Sequence, residues 1–259
     1  DKGLRRRSGV PPLQQHAVKV RVDVLVVEQG LAPTREKAQA MILAGQILSG
    51  DRLLDKPGIK INKDTPLRTR GKVDHYVGRG AHKLKHALVQ FKIDLQGAVC
   101  LDVGASTGGF SQVCLEAGAR KVYALDVGHN QLDWSLRNDA RVVSMEGVNI
   151  RTAPQGLLPE RMDFACIDTS FISLKLVLEP AARFVRTGGT IVALIKPQHE
   201  VGKDNVGKGG IVKDGELHGQ VTDAISAYAQ LIGLAVAGLV ESPIRGTTGN
   251  KEFLICLQK

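Results

Sequence analysis

The sequence predicts an α/β fold: a mostly parallel sheet covered by helices on both faces, with a small α+β domain ahead of it. Strand-like and helical segments alternate through residues 81–259, and this alternation is typical of a parallel sheet with crossover helices. Before about residue 80 the elements are shorter and are separated by turns. We therefore divide the chain into a tail (1–17), a small domain (18–72), a linker (73–80) and a larger domain (81–259).

The strands of the larger domain are predicted from its apolar runs. The five that should lie parallel are Val99–Val103, Lys121–Asp126, Arg141–Met145, Met162–Asp168 and Thr190–Lys196. Two more runs, Leu234–Glu241 and Glu252–Leu257, are joined by a glycine-rich loop too short for a crossover helix, so they should form an antiparallel hairpin. Five parallel strands closed by a hairpin predict a seven-stranded, Rossmann-like class I methyltransferase sheet rather than the plain dinucleotide-binding fold.

The small domain is predicted to be a helix–helix–hairpin unit. Lys19–Gln29 reads as a short amphipathic helix that ends at Gly30. A second helix should begin after Thr34, whose hydroxyl is placed to cap it, and end before Gly45. Short strands separated by turns then follow from Ile47 onward.

Positive charge is concentrated at one end of the chain. The net charge of the 259 residues is +9, yet residues 1–90 hold 18 Lys and Arg against 8 Asp and Glu, whereas residues 91–259 hold 17 against 18. A basic block beside a neutral one is typical of a polyanion-binding module fused to another domain, and nucleic acid is the commonest polyanion. The alternative is a solvated basic surface or a cloning remnant.

Three features bear on where the protein works. The cysteines show neither CxxC pairs nor zinc-finger spacing, so free thiols in a reducing cytoplasm are expected, and no metal site is predicted. The longest apolar stretches, such as Leu231–Val240, have about half of the roughly 20 residues that span a bilayer. The leader to His16 is basic and has no apolar core, so we expect a disordered or vector-derived tail rather than a signal peptide.

A glycine-rich turn follows the first predicted strand of the sheet. The segment Val99–Phe110 reads as a buried strand, a turn and a helix start, the place where open α/β sheets bind cofactors. Its glycines, Gly104 and Gly108, match neither the dinucleotide fingerprint nor a phosphate-binding P-loop. Asp126, at the end of the next strand, is placed to accept hydrogen bonds from ribose hydroxyls. Asp102 is expected to face the cationic amino-acid end of S-adenosylmethionine.

Four charged residues stand at the edges of predicted elements. Asp168 and Lys196 end the fourth and fifth strands, Glu252 opens the last strand, and Lys83 begins the helix that leads into the domain. The carboxyl ends of parallel strands meet at one rim, so Asp168 and Lys196 should lie close to the cofactor. Taken singly, each of the four is more often a solvated surface charge than a functional group.

Motifs in a fixed order connect these positions. The N-terminal stretch (Arg21–Leu25, Gly30–Ala38 and Ile42–Ile47) is similar to the RNA-binding domain named after ribosomal protein S4. The later motifs are Arg79–Leu84 (RGAHKL), Leu101–Phe110 (LDVGASTGGF), Asp126–Gly128 (DVG), Ile167–Leu174 (IDTSFISL), Leu194–Glu200 (LIKPQHE) and Gly246–Glu252 (GTTGNKE). Together they resemble the TlyA family, the S4-domain ribosomal RNA 2′-O-methyltransferases often labelled hemolysins, whose catalytic half is FtsJ-like.

The resemblance implies a reaction and a set of site residues. Lys83, Asp168, Lys196 and Glu252 match the family's Lys-Asp-Lys-Glu tetrad, with Lys196 as the base, and the implied target is a cytidine in ribosomal RNA. The expected cofactor contacts are Asp102, Gly104, Ala105, Ser106, Thr107, Gly108, Gly109, Phe110, Asp126, Val127 and, from its position after the third strand, Asn149. The expected RNA contacts are Arg21, Arg35, Lys37, Arg52, Arg68, Arg70 and Arg79.

The chemistry of a ribose hydroxyl suits such a tetrad. The hydroxyl is a weak nucleophile and loses its proton as it attacks the methyl group in line. A lysine serves as base when a neighbouring cation and partial burial lower its pKa, and two acids can orient the pair. Methyl transfer from a sulfonium needs no metal, and alignment of the reactants should supply much of the rate.

Other functions remain open at this stage. They are an RNA-binding protein with an inert methyltransferase domain, a membrane-lytic hemolysin and a small-molecule methyltransferase. The complete tetrad disfavours the first, the absence of a long apolar segment disfavours the second, and the basic N-terminal block disfavours the third. The sequence alone does not define the modified nucleotide or the ribosomal subunit, and it assigns no role to His82, His86 or His199.

Overall fold

A computed structural model describes residues 18–70, 74–202, 205–207 and 209–259. The predicted tail, 1–17, lies outside the described residues, as does the first residue of the predicted linker. The chain divides into two compact units, Asp1–His75 and Tyr76–Lys259. Each unit is described by itself below.

The first unit is a small α+β structure. Its elements are β1 (Lys19–Arg21), α1 (Val22–Glu28), α2 (Arg35–Leu43), β2 (Ile47–Ser49), β3 (Arg52–Leu54), β4 (Lys60–Asn62) and β5 (Arg68–Thr69). Strands β3, β2 and β5 form one antiparallel sheet, and β1 pairs with β4. The Thr34 hydroxyl accepts a hydrogen bond from the Lys37 amide at 3.2 Å, which confirms the predicted cap of α2. The apolar face of α2 (Ala38, Met41 and Ile42) is buried, as its spacing predicts.

The prediction that the first helix begins at Lys19 is wrong. Lys19–Arg21 is a strand that pairs antiparallel with Lys60–Asn62, and the helix begins only at Val22. Pairing with a strand forty residues away stabilises the extended conformation of these three residues, and this partner cannot be seen in local periodicity.

The second unit is a seven-stranded sheet with helices on both faces. Its elements are α3 (Ala81–Gln90), β6 (Val99–Val103), α4 (Gly109–Glu116), β7 (Lys121–Asp126), α5 (Trp134–Arg137), β8 (Val142–Glu146), β9 (Met162–Ile167), α6 (Lys175–Ala182), β10 (Val185–Ile195), α7 (Pro197–Glu200), α8 (Gly215–Leu231), β11 (Ala235–Glu241) and β12 (Phe253–Gln258). The strand order is β11-β12-β10-β9-β6-β7-β8. The strands from β10 to β8 run parallel, and β12 pairs antiparallel with both β10 and β11, which confirms the predicted sheet.

Several strand boundaries differ from the prediction. The largest difference is in β10, which begins at Val185, five residues before the predicted Thr190. Two consecutive glycines, Gly188 and Gly189, are typical of a turn. In β10 they lie where the pairing with β9 is irregular, between Val185 and Thr190. Asp168 and Lys196 lie one residue beyond their strands, and Glu252 lies one residue before β12.

Both faces of the sheet are buried. Alternate residues of β6 show this directly, because Leu101 and Val103 pack with α6 and α8, whereas Cys100 packs with α3 and α4. This two-sided burial explains why the parallel strands read as continuous apolar runs. In the described ranges, none of the helices combines the length and apolar character required to traverse a bilayer.

Candidate active site

The glycine-rich turn after β6 shapes one wall of the site. Gly104 has a φ of +83° and Gly108 a φ of +97°, in the region that favours glycine. A Cβ atom on Gly104 would overlap the backbone oxygen of Asp168, and one on Gly108 would overlap the side chain of Leu136. The chain therefore needs glycine at both positions so that the turn can pass between neighbouring elements.

Asp102 lies beneath this turn. The residue is fully buried; its Oδ2 accepts a hydrogen bond from the Ser111 hydroxyl at 2.7 Å, and its Oδ1 has no partner among the described residues. Burial raises the pKa of Asp102 to about 7. Asp102 lines neither of the cavities described next, and its contact with the cofactor stays a prediction.

One cavity opens at the ends of β6 and β7. This Asp126 cavity has a volume of about 400 Å³, and its wall combines polar groups with apolar side chains. The predicted cofactor contacts on its wall are Gly104, Ser106, Asp126, Val127 and Asn149, and the predicted catalytic residue Asp168 lines it as well. The Asp126 carboxylate is held in place by the backbone amides of Ser106 and Gly128, at 2.8 and 2.7 Å. A fixed acidic group beside apolar side chains is a suitable binding surface for a nucleoside.

A second cavity adjoins the first. This two-lysine cavity has a volume of about 380 Å³ and contains the whole predicted tetrad, together with Ala105, Thr107, Gly109, Phe110 and Arg79. It shares Gly104, Ser106, Asp168 and Ser170 with the Asp126 cavity. Of the predicted cofactor contacts in the described part of the chain, Asp102 and Gly108 alone line neither cavity.

The four tetrad side chains form one chain of ion pairs. The Lys83 Nζ atom lies 2.7 Å from Glu252 Oε2 and 4.0 Å from Asp168 Oδ2, and the Lys196 Nζ atom lies 2.6 Å from Asp168 Oδ1. Lys83, Lys196 and Glu252 are buried, and Asp168 is one-fifth exposed. Each buried charge therefore has a partner, which offsets the cost of removing it from water.

The loop before β12 positions Glu252. A Cβ atom on Gly246 would overlap the Glu252 carboxylate, so a larger residue here would push this side chain out of its ion pair with Lys83. The buried Asn250 side chain accepts a hydrogen bond from the Val212 amide at 2.9 Å and donates to the Gly210 carbonyl at 2.7 Å. These bonds connect the Glu252 loop to the segment before α8.

Sequence reasoning missed several wall residues. On the Asp126 cavity they are Gln131, Ile150, Arg151, Thr169, Ser170, Phe171 and Ile172, and on the two-lysine cavity they include Ile244, Arg245 and Thr247. The most informative is Ser170, whose hydroxyl accepts a hydrogen bond from Lys196 Nζ at 2.8 Å. The signal was available, since Ser170 follows the predicted Asp168 by two residues within a quoted motif. The described residues contain no cluster of three His, Cys, Asp or Glu side chains that could hold a metal ion.

Three of the predicted RNA contacts have internal partners: Arg68 bonds to the Gly50 carbonyl and to Asp51, and the other two share one buried carboxylate. Arg21 donates twice to the buried carboxylate of Asp23, both times at 2.9 Å, and Arg35 and Gln39 donate to it at 3.1 and 2.8 Å. Led by the Arg21 hydrogen bond, these contacts hold the pKa of Asp23 well below its usual range. About half of each arginine side chain remains exposed. Away from Asp23, the predicted contacts of this unit are exposed or half-buried: Lys37, Arg52, Arg68 and Arg70.

Comparison with known proteins gives consistent matches to both units. The profile of FtsJ-like methyltransferases matches residues 76–259, and that of the S4 domain matches residues 20–65. The chain is 42% identical over 247 residues to the 16S/23S rRNA (cytidine-2′-O)-methyltransferase TlyA of Mycobacterium tuberculosis, covering 93% of this chain and 91% of that protein. It is 38% identical to Hemolysin A of Brachyspira hyodysenteriae, covering 91% and 98%.

A solved structure extends the match to three dimensions. A Streptococcus thermophilus protein whose structure carries the name hemolysin is 46% identical and superimposes with a TM-score of 0.73, covering 94% of this chain and 89% of that one. The likeness thus spans both units, and the methyltransferase and hemolysin names belong to proteins of one architecture. The chain belongs to the TlyA family, in which an S4 domain precedes an FtsJ-like methyltransferase domain.

Proposed function

We propose that this protein transfers the methyl group of S-adenosylmethionine to the 2′-hydroxyl of a cytidine ribose in ribosomal RNA. The observation that carries the proposal is the buried Lys-Asp-Lys-Glu chain of ion pairs, which faces a cavity that shares a wall with a second, nucleoside-sized one. The cytidine and the ribosomal RNA come from the relatives, since the Mycobacterium tuberculosis protein is named for that substrate.

The Asp126 cavity fits the nucleoside part of the cofactor. Asp126 would accept hydrogen bonds from two ribose hydroxyls, while Ile150 and Ile172 would contact the base, with Val127 and Asn149 at the rim. The turn from Gly104 to Gly109 lets a ligand approach the backbone between the two cavities. When bound, S-adenosylmethionine supplies a methyl group on a sulfonium, so the transfer of this methyl group needs neither a redox reaction nor a metal ion.

The two-lysine cavity fits the acceptor ribose. We assign the base to Lys196, because it meets one carboxylate and a hydroxyl, whereas Lys83 meets two carboxylates and serves as the fixed cation. Once its ammonium has released a proton to solvent, the neutral Nζ of Lys196 takes the proton of the 2′-hydroxyl as the oxygen forms its bond to the methyl carbon. Asp168 orients Lys196 from a position on the wall of both cavities. Bound S-adenosylmethionine would supply the methyl group and keep the electron pair of the S–CH₃ bond on sulfur, so charge and atoms would balance.

The first unit supplies affinity for the RNA backbone in this proposal. Exposed Arg and Lys side chains can pair with phosphates, and their loss of counterions makes binding steeply dependent on salt. Arg21 and Arg35 would present the outer edges of guanidinium groups that Asp23 already orients. We place the protein in the cytoplasm, where ribosomes are made and where buried free thiols such as Cys166 stay reduced.

The experiment is methyl transfer to ribosomes. Ribosomal subunits from a strain that lacks the gene are incubated with the protein and S-adenosylmethionine labelled in the methyl group. Label should enter RNA as 2′-O-methylcytidine, and Lys196→Ala should lower the rate by about 10² to 10⁴, the range for loss of a general base. Lys121→Ala is the matched control, since Lys121 begins β7 at the opposite edge of the sheet. Label confined to protein or small molecules, or a Lys196→Ala rate equal to that of the wild type, would contradict the proposal.

A further inference from the structure

The segment that follows β9 has an unusual backbone. Residues 168–174 pass along the shared wall, with Asp168 and Ser170 lining both cavities and Phe171 lining the Asp126 cavity. Phe171 has a φ of +63°, although a bulky residue in the left-handed region costs roughly 1 kcal/mol or more. Its side chain is 93% exposed, so burial of the ring does not offset this cost. Other contacts must therefore hold the segment in this shape.

Two side chains of the short helix α7 supply those contacts. The ring Nε2 of His199 accepts a hydrogen bond from the Phe171 amide at 3.3 Å, and the two rings lie 5.6 Å apart. The Glu200 carboxylate accepts from the Ser173 hydroxyl at 2.6 Å and from the Leu174 amide at 2.7 Å. The Ser173 hydroxyl also accepts from the amide of Lys175, the first residue of α6, at 3.3 Å, so Glu200 and Ser173 together bind the amides at the start of this helix.

The protonation state of His199 suits this role. Nε2 can accept the Phe171 amide only while it carries no proton. Burial, followed by the charge of Lys196, lowers the pKa of His199, whereas the carboxylates of Glu200, Glu252 and Asp168 act in the opposite direction with smaller effect. The neutral ring is therefore favoured at neutral pH.

The proposed base lies next to the same helix. Lys196 immediately precedes α7, and its ammonium contacts both Asp168 and Ser170. Lys196, His199 and Glu200 thus contact the segment 168–174 in the same order along both stretches of chain. A change in the distance between these two segments would shift the shared wall and the base together.

From this geometry we infer that His199 and Glu200 are positioning residues for methyl transfer: they hold residues 168–174 in the shape that sets Ser170 against Lys196 and separates the two cavities. The inference rests on the proposed function and adds residues outside the tetrad. Neither side chain lines the Asp126 cavity or the two-lysine cavity, so both act through the segment that they hold.

The first test compares Glu200→Ala with Glu200→Gln and with the control Glu179→Ala. Glu179 is an exposed carboxylate on α6 that pairs only loosely with Arg183, at 3.5 Å. Misplacement of reacting groups by about 1 Å costs about 10²-fold, so Glu200→Ala should lower kcat by tenfold to 10²-fold with the KM for RNA within about twofold of the wild type. Glutamine can accept from Leu174 and donate to Ser173, so Glu200→Gln should recover most of the rate. Glu179→Ala should match the wild type.

A second measurement needs no RNA substrate. Hydrogen exchange at the Leu174 amide should be at least tenfold faster in Glu200→Ala, and the dissociation constant for S-adenosylmethionine should rise because the segment also walls the Asp126 cavity. His199→Ala should speed exchange at Phe171 in the same way. Unchanged exchange at both amides, or wild-type kcat in a folded Glu200→Ala protein, would overturn the inference.

A third variant, Ser173→Ala, tests the same contact by changing the partner of Glu200. If Glu200→Ala does not fold, Ser173→Ala removes one of its hydrogen bonds and should lower kcat by about threefold or more. If both fold, the double variant should lose less than the product of the two single effects, as expected for partners in one contact. Should the wild type label no RNA, the proposed function fails, while exchange and cofactor affinity still decide whether these residues position the wall.

Discussion

Replacing Asp102 by Asn should stabilise the larger unit at alkaline pH while it weakens cofactor binding. Asp102 is fully buried and shares one hydrogen bond with Ser111, and no lysine or arginine pairs with it among the described residues. Burial raises its pKa from 3.8 to about 7. Between these two values the folded protein keeps a proton that the unfolded chain has released.

The sign and size of the effect follow from this difference. The contribution of Asp102 to stability is complete below about pH 4 and is lost as the pH rises to about 7, because each added pH unit favours the unfolded state by 1.36 kcal/mol. A rise of about three pKa units corresponds to about 4 kcal/mol at pH 8. Asparagine carries no charge, but one polar atom of its amide would occupy the position of Oδ1, which has no hydrogen-bond partner. Burying this unpaired atom costs about 1–3 kcal/mol. The net gain expected for Asp102→Asn at pH 8 is about 1–3 kcal/mol.

Urea unfolding at pH 5 and pH 8 measures this effect. The only tryptophan, Trp134, lies in the larger unit, so its fluorescence reports on the unfolding of that unit. The free energy of unfolding should fall less between pH 5 and pH 8 in Asp102→Asn than in the wild type, whereas the dissociation constant for cationic S-adenosylmethionine should rise. Equal pH dependence in both proteins, or a less stable variant at pH 8, would refute the reasoning.

Three further changes test other parts of the site. Gly104→Ala should destabilise the unit by about 2 kcal/mol or more and abolish cofactor binding in calorimetry, because the new methyl group overlaps Asp168 at a φ of +83°. Asn250→Ala should lower the free energy of unfolding by about 3 kcal/mol, since it leaves buried backbone partners unpaired, and Asn250→Ser should cost less. In the wild type, the lowered pKa of His199 means that stability is lost as pH falls below 6.5, and His199→Gln should lessen that loss in unfolding curves from pH 7 to 5.

Much of this site could be predicted because its residues stand at the ends of elements. Asp168 and Lys196 each follow a parallel strand, and the carboxyl ends of such strands meet at one edge whatever the details of the loops. Glu252 joins them because β12 returns antiparallel beside β10, so its beginning lies at the edge where β10 ends. Lys83 stands at the start of a helix outside the sheet, where the rule for strand ends does not apply, so only the family resemblance joins it to the other three residues.

The contacts between loops could not be read in the same way. Phe171 gives no sign of its left-handed backbone, since a glycine or asparagine would be the usual signal. The Phe171 amide is bound by His199, which lies 28 residues away, and the Leu174 amide at the start of α6 is bound by Glu200, which lies 26 residues away. The strand Lys19–Arg21 was mistaken for helix for the same reason, because its partner is distant. Local patterns therefore predict elements and their ends, and tertiary hydrogen bonds decide the loops.

Asp102 and Asp168 are carboxylates at the same edge of one sheet, but they differ in their charged partners. Asp168 is held between two lysines, so within the tetrad two positive and two negative charges balance and the ion pairs leave no net charge. Asp102, next to the turn, lacks a cationic partner among the described residues, and its charged form is disfavoured by burial. In the proposed function the cofactor brings the missing positive charge toward this turn. Cofactor binding should then favour ionisation of Asp102, and by reciprocity the affinity should rise as the pH increases through about 7 in the wild type, with a weaker rise in Asp102→Asn.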